Sequence, residues 1–285
     1  MKPTTIGILH PGEMGSEVGA SARAAGARVV WASEGRGGAT RDRAAAAGLE
    51  DVGSLRALVA ASDVILSVCP PDAALDVARA VAAIGFSGLY VDGNAVSPAT
   101  AREIGRVAEG GGATFVDGGI IGPPPRVRGK TRLYASGDGA PRVKTLFGDG
   151  PLEVIPLDAP PGAASAVKMA YASWTKGTSA LILAVRALAA AEGVDEALLA
   201  EWRISQPTLP ARSEDAVRGN ARKAWRFVGE MEEIAATFAE AGLPDGFHLA
   251  AAEIFRRLAP YKDTPIPSIA DVADVLTAAS GRAGR

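Results

Sequence analysis

The run Thr4-Thr5-Ile6-Gly7-Ile8-Leu9 is short, apolar and β-branched, the composition of a strand buried on both faces of a parallel sheet. It passes directly into His10-Pro11-Gly12-Glu13-Met14-Gly15, and from there into a small-residue helix expected over 16–25. A strand that turns through glycines into a helix N-terminus is how α/β proteins seat a dinucleotide pyrophosphate, on free backbone amides at the positive end of the helix dipole. Gly12 lets the backbone approach a ligand, and Gly15 lets the helix pack closely on the strand. His10 stands where the first glycine of G-x-G-x-x-G would be. The spacing predicts His10, Gly12, Glu13 and Met14 as a phosphate loop, and the motif alone leaves an ordinary strand–loop–helix turn open.

The 285 residues give room for two domains, and a hydrophobic fraction of 48% supports a real core. A net charge of −2 offers no electrostatic case for nucleic acid or an anionic membrane as partner. Cys69 is the one cysteine, so no internal disulfide forms and a reducing compartment fits. The first residues lack the apolar core and cleavage site of a signal peptide, and no run approaches the roughly 18 apolar residues of a membrane span. Two histidines far apart and one cysteine provide no zinc-like ligand cluster. A cytoplasmic protein with a small-molecule partner and no metal is the expectation.

Strand-like and helix-like segments alternate over the first half. Strands are expected at 27–32, 63–68, 88–92, 114–117 and 131–135, and helices at 39–47, 55–61, 73–84 and 98–108. Ser97 precedes Pro98 as an N-cap with proline at the first helical position. Such alternation predicts an α/β fold, a Rossmann-like doubly wound parallel sheet with ligands at the carboxyl ends of its strands. After Pro160-Pro161-Gly162 the pattern changes to helix, over 163–192, 196–202, 221–241, 248–258 and 269–279. The expected organisation is a nucleotide-binding domain over 1–160, then an all-helical domain over 161–285 whose tail at 281–285 is disordered.

The residues that follow each strand carry the chemistry. The second strand runs into Trp31-Ala32-Ser33-Glu34-Gly35-Arg36, with Arg41 and Arg43 beyond it. A carboxylate here accepts the ribose 2′-OH and selects NAD. Ser33 can instead donate to a 2′-phosphate, which Arg36 can pair through two charge-assisted bonds. These two residues predict NADP, with NADPH preferred over NADH. Glu34 is the contrary sign, and a solvated loop is the alternative.

Cys69-Pro70-Pro71 leaves one strand and Asp92-Gly93-Asn94 the next, both at the edge where a dinucleotide's riboses belong. Cys69 reads as a packing residue under the cofactor, with no basic partner to make it a nucleophile. Asn94 either hydrogen-bonds a ribose hydroxyl or ends the strand. Lys168 lies between Val167 and Met169 on a small-residue helix, where burial lowers an ammonium pKa. A lysine tuned toward neutrality can pass a proton to or from a carbinol or an imine nitrogen, and snorkelling to solvent is the alternative. Tyr171, Ser173, Trp174 and Thr175 follow as pocket-lining candidates. His248 reads as a packed core residue, and Arg126, Arg128 and Lys130 either attract an anionic substrate or are solvated.

The order Ile6-Gly7, Gly12-Glu13-Met14-Gly15, Cys69-Pro70-Pro71 and Ser97-Pro98-Ala99-Thr100-Ala101-Arg102-Glu103 resembles the β-hydroxyacid dehydrogenase superfamily, which includes 3-hydroxyisobutyrate and 6-phosphogluconate dehydrogenases. The resemblance covers nearly the whole chain. Its detail points to a branch with a short helical C-terminal domain of unknown function, whose marks are similar to residues 229–235 and 246–253. It implies an NADP-dependent oxidoreductase moving a hydride between nicotinamide and a small hydroxy or keto substrate, held in a cleft between the two domains. It also implies a homodimer whose helical domains pack together.

Residues 115–123 lie where those enzymes carry a substrate loop ending in Ser-Gly-Gly, which implies substrate-side places for Ile121 and Gly122, with Tyr171 and Thr175. Residues 162–168 look like their glycine-rich catalytic helix, which implies that Lys168 is the general acid/base. The departures are Ile121 for the serine, Pro123 for the second glycine, Ala172 for an asparagine, and Glu230-Met231 for a Lys-Asp pair. In the family those lost groups hold the substrate's carboxylate and hydroxyl. Their loss leaves open an imine reductase on the same fold, or a cofactor-binding sensor without catalysis.

Overall fold

Residues of alternating side build the first half of the chain around one sheet. In the computed structural model, which describes residues 3–278, its strands are β1 (Thr5–Ile8), β2 (Arg28–Trp31), β3 (Glu50–Asp51), β4 (Val64–Ser67), β5 (Leu89–Asp92), β6 (Thr114–Ile121), β7 (Thr131–Ser136) and β8 (Leu152–Pro156). Their order is β3-β2-β1-β4-β5-β6-β7-β8. Between them lie α1 (Glu13–Ala24), α2 (Gly38–Ala46), α3 (Leu55–Ala61), α4 (Ala74–Ile84), α5 (Pro98–Gly110) and α6 (Ala140–Phe147).

Period-2 alternation sends Ile6, Ile8, Val64, Leu66, Leu89 and Val91 to one face, where Val18 of α1, Ala44 of α2 and Phe147 of α6 meet them. Ile65, Tyr90 and Phe115 point to the other, against Leu58 of α3, Val81 of α4 and Ile104 of α5. Both faces are covered, as a parallel sheet requires. Truncating a side chain such as Ile65, which is fully buried, would cost about 2–5 kcal/mol. Ser97 caps α5 as expected, its side chain accepting the Thr100 amide.

The sheet is parallel except where β6 meets β7 in antiparallel register, Gly119 opposite Tyr134. The one antiparallel pair has a topological reason. Only a loop joins β6 to β7, and a parallel return needs a crossover of a dozen or more residues. β6 also runs on to Ile121, past the expected end at 117. β3, α6 and β8 went unforeseen.

Helix α7 (Ala163–Ala191) is followed by α8 (Asp195–Ser205), α9 (Leu209–Asn220), α10 (Ala224–Glu240), α11 (Gly246–Leu258) and α12 (Ile269–Thr277). The chain forms two compact units, Met1–Met169 and Ala170–Arg285, so the division falls inside α7, nine residues past the expected position. In the second unit Arg186, 4% exposed, makes a bidentate pair with Asp195 at 2.7 and 2.9 Å and donates to Ser213 at 2.7 Å. Phe227 meets Phe255 edge-on, and His248 is packed between Phe238 and Phe247. Among the described residues no helix is long and apolar enough to cross a membrane. The tail at 281–285 lies outside the described residues.

Candidate active site

The order of the sheet reverses at β1, which lies between β2 and β4, and that reversal opens a crevice at the carboxyl ends. Gly12 is the N-cap of α1 in extended backbone and has no side chain to cap the helix. A helix N-terminus begun this way directs backbone amides toward an anion. A Cβ on Gly12 would meet nothing within 4 Å, whereas one on Gly15 would strike the His10 carbonyl oxygen. The turn thus fits a dinucleotide phosphate beside Gly12 and requires a bare α-carbon at Gly15. His10 replaces the first glycine without strain, because no non-glycine among the described residues has a positive φ. Burial, aided by the Arg36 charge, pulls its imidazole down to about 4, so it is neutral at physiological pH. Glu13 and Met14 open α1 beside it.

Three arginines converge on the exits of β1 and β2. Arg36 donates to the Leu9 carbonyl at 3.5 Å, Arg43 to the Pro11 carbonyl at 3.5 Å, and Arg41 to the Arg36 and Ser33 carbonyls at 3.2 and 3.4 Å. Asp51, at the end of β3, accepts the Ser33 and Gly53 amides at 3.2 and 2.8 Å. The nearby Ser33 side chain is the largest cause holding that carboxyl below its ordinary value. Asp51 escaped the sequence reading because β3 is two exposed acidic residues with no pattern. Glu34, the contrary sign, is exposed.

Cys69 and Asn94 come together between β4 and β5. The Asn94 Oδ1 accepts the Cys69 amide at 2.6 Å, and its Nδ2 donates to Ser67 Oγ at 3.1 Å and Asp92 Oδ2 at 2.8 Å. Its amide is committed to the protein, tying the two strand exits together. Burial pushes the Cys69 thiol up to about 12, the behaviour of a packing residue. Pro70 and Pro71 lead from it into a short 3-10 turn. Burial also raises Asp92 to about 7, against the pull of the Asn94 amides and with a push from Asp117 on the next strand.

Lys168 sits on the first part of α7, within the first unit. Desolvation lowers its ammonium to about 8. The helix approaches β6 where a Cβ on Gly119 would lie 2.5 Å from the Ala164 carbonyl oxygen and 3.0 Å from the Lys168 Cβ. Asp117, fully buried on the same strand, hydrogen-bonds the start of the helix. Ile121 is buried at the end of β6, and Gly122 turns the chain with φ +120°, its Cβ position blocked by the Lys130 carbonyl.

Tyr171 and Thr175 belong to the second unit. Tyr171 is exposed, and the Thr175 hydroxyl donates back to its carbonyl at 3.2 Å. There too, Glu230 ion-pairs Lys176, whose ammonium lies 4.6 Å from the Phe227 ring centre. Arg126 and Arg128 are engaged by Glu17 and Asp149. Asp92, Asp117, Gly119 and Ser165 lie inside the motif stretches, but their contacts are made across strands and are invisible along one chain.

Residues 5–146 match the NAD binding domain of 6-phosphogluconate dehydrogenase, which makes the dinucleotide of this domain a nicotinamide cofactor. Residues 189–258 match a domain of unknown function, DUF1932. Over 167 residues the chain is 35% identical to an uncharacterized 28.5 kDa protein in the 7S RNA 5′ region of Methanothermus fervidus, covering 58% of this chain. That match spans 63% of the relative's length. A solved conserved protein of unknown function, described as structurally similar to 3-hydroxyacid dehydrogenases, is 28% identical with a TM-score of 0.67, over 90% of this chain and 97% of its own. The Mycobacterium tuberculosis 3-hydroxyisobutyrate dehydrogenase with L-serine shares the fold at a TM-score of 0.69 and 20% identity, over 97% of this chain and 100% of its own. The chain belongs to the β-hydroxyacid dehydrogenase-like family, in the form that joins an NAD-binding domain to a helical C-terminal domain.

Proposed function

We propose that the protein is an NADPH-preferring oxidoreductase that moves a hydride between the nicotinamide and a small hydroxy- or keto-type substrate, with Lys168 as general acid/base. The observation that carries this reading is the state of Lys168. Its only cause of shift is desolvation, with no carboxylate contribution among the described residues, and its ammonium titrates near 8. A group poised there can both give and take a proton near neutral pH. The bound cofactor supplies or receives the hydride. The chain holds the pyrophosphate on the α1 amides beside Gly12, and Lys168 Nζ gives a proton to the substrate oxygen on reduction or accepts one on oxidation.

The NADP preference rests on Arg36, with Arg41 beside it, because Asp51 is drawn up against Ser33 by the Ser33 amide. His10, Met14, Cys69, Pro70, Pro71 and Asn94 shape the floor of the cofactor site. In this reading Asn94 acts by fixing the two strand exits, since both Nδ2 hydrogens and the Oδ1 bond the protein. Ile121 favours a second reading. It is buried and apolar where the family places a serine that holds the substrate carboxylate, so an uncharged carbonyl or an imine suits this position better than a hydroxy acid.

A cytoplasmic homodimer is the proposed setting. Trp174, Leu181 and Leu188, at 66%, 47% and 62% exposure, recur every seven residues on α7 as an unpartnered apolar stripe that suits a second copy of the chain. The test of the activity is oxidation of NADPH, followed by loss of its absorbance, with a panel of aldehydes, ketones, keto acids and imines. Turnover with any of them supports an enzyme, and preference for imines selects the second reading. Tight NADPH binding without turnover on the whole panel would instead make the chain a sensor.

A further inference from the structure

Neither cofactor binding nor proton transfer uses the carboxylate of Asp117, although it is fully buried on β6. Its Oδ2 accepts the Gly162 amide at 2.9 Å, the Ser165 amide at 3.0 Å and the Ser136 hydroxyl at 3.0 Å, and its Oδ1 accepts the Ser165 hydroxyl at 2.6 Å. Ser136, at the end of β7, in turn accepts the Ala164 amide at 3.1 Å. Three amides at the start of α7 are thus satisfied from the sheet rather than by a cap of the helix's own. A carboxylate at the positive end of so long a helix also gains from its dipole.

Two residues further along the same face of β6 comes the opposite device. Gly119 offers no side chain, and it is there that the Ala164 carbonyl and the Lys168 Cβ close on the strand. β6 therefore grips the first turn of α7 at 117 and gives way at 119. Lys168 lies three residues after Ser165, about one helical turn on. A cap that merely stabilised the helix would have no need of the gap at Gly119.

We propose that Asp117 is the positioning residue for Lys168: through Ser165 and the first-turn amides it fixes the height and rotation of α7 over β6, and so how far Lys168 is withdrawn from water. The proposal rests on the reading of Lys168 as the proton-transfer group. Asp117→Asn removes the charge held at the helix start and turns one of the two acceptor oxygens into an NH2, which opposes the Gly162 and Ser165 amides in one orientation and displaces the acceptor of the Ser165 hydroxyl in the other. The helix start is then released and Lys168 becomes solvated.

The test is competitive acylation of the full-length protein with acetic anhydride across a pH series, with mass spectrometry reading each lysine and the exposed Lys130 and Lys144 as internal standards. Lys168 in the parent protein should titrate near 8, and in Asp117→Asn its midpoint should rise by more than one pH unit toward the ordinary 10.5. Ser165→Ala, which removes one of the four bonds, should shift it less and in the same direction. Gly119→Ala, which forces the helix off the strand, should also raise it. An Asp117→Asn protein with a cooperative melt, unchanged NADPH affinity and an unchanged Lys168 midpoint overturns the proposal. Where Asp117→Asn does not fold, unchanged midpoints in both Ser165→Ala and Gly119→Ala overturn it equally. A Lys168→Ala protein with undiminished turnover would instead remove the proton-transfer role while leaving the Asp117 shift in place, so the two claims fail separately.

Discussion

An ammonium withdrawn from water without a counter-charge destabilises the folded chain for as long as it stays protonated, and Lys168 is in that position. Its folded pKa of about 8 lies below the ordinary 10.5. Below the lower value both folded and unfolded chains are protonated and the full cost is present. Above the higher value both are neutral and the cost is gone, so stability rises with pH across that window. Lys168→Met should therefore raise Tm at pH 7, and the gain should fade toward pH 10.5. Thermal melts at the two pH values check this, and equal melting at pH 7 would count against a desolvated charge.

Arg36→Ala should weaken NADPH by about 1–3 kcal/mol and leave NADH nearly unchanged, as loss of a charge-assisted bond does. Fluorescence titration with both cofactors reads the difference, and an unchanged preference would assign the 2′-phosphate elsewhere. At this scale the sequence was legible wherever a residue's surroundings follow from its neighbours along the chain. The close packing at Gly15, the packed Cys69 and the desolvated Lys168 between Val167 and Met169 are of that kind. What Ser33 and Asn94 do was not legible, because Asp51, Ser67 and Asp92 reach them across strands.

At the scale of elements, the β1–α1 turn separates two kinds of glycine. The space beside Gly12 is open, so Gly12→Ala should fold normally and lose affinity for the cofactor that fills that space. Gly15 has the His10 carbonyl against it, so Gly15→Ala should lose both stability and binding. Denaturant melts with and without NADPH distinguish the two, and equal stability losses would contradict the assignment. The helices and central strands were legible from hydropathy period and from punctuation such as Ser97-Pro98. The antiparallel β7 was legible in principle, since the stretch before it holds prolines and no helical pattern. Gly118-Gly119, just past the expected strand end at 117, reads locally as a turn. It continues the strand, and its bare α-carbons admit the close approach of the Asp92 and Ala164 carbonyls.

For the whole molecule, the exposed Trp174, Leu181 and Leu188 on one helix would be covered in the proposed homodimer. Light scattering at micromolar concentration should give twice the single-chain mass, and Leu181→Lys with Leu188→Lys should return it to one chain. A parent protein that stays monomeric would refute the dimer. The central claim is that Lys168 moves the proton in a nicotinamide-dependent reaction. Single-turnover oxidation of bound NADPH by the best substrate from the panel tests it most directly, comparing the parent protein with Lys168→Ala. The account predicts a loss of roughly 10²–10⁴ in rate with NADPH affinity unchanged, and a parent rate of reduction that falls as pH rises through about 8. A Lys168→Ala protein that turns over within a factor of a few of the parent, with the same pH profile, would contradict it.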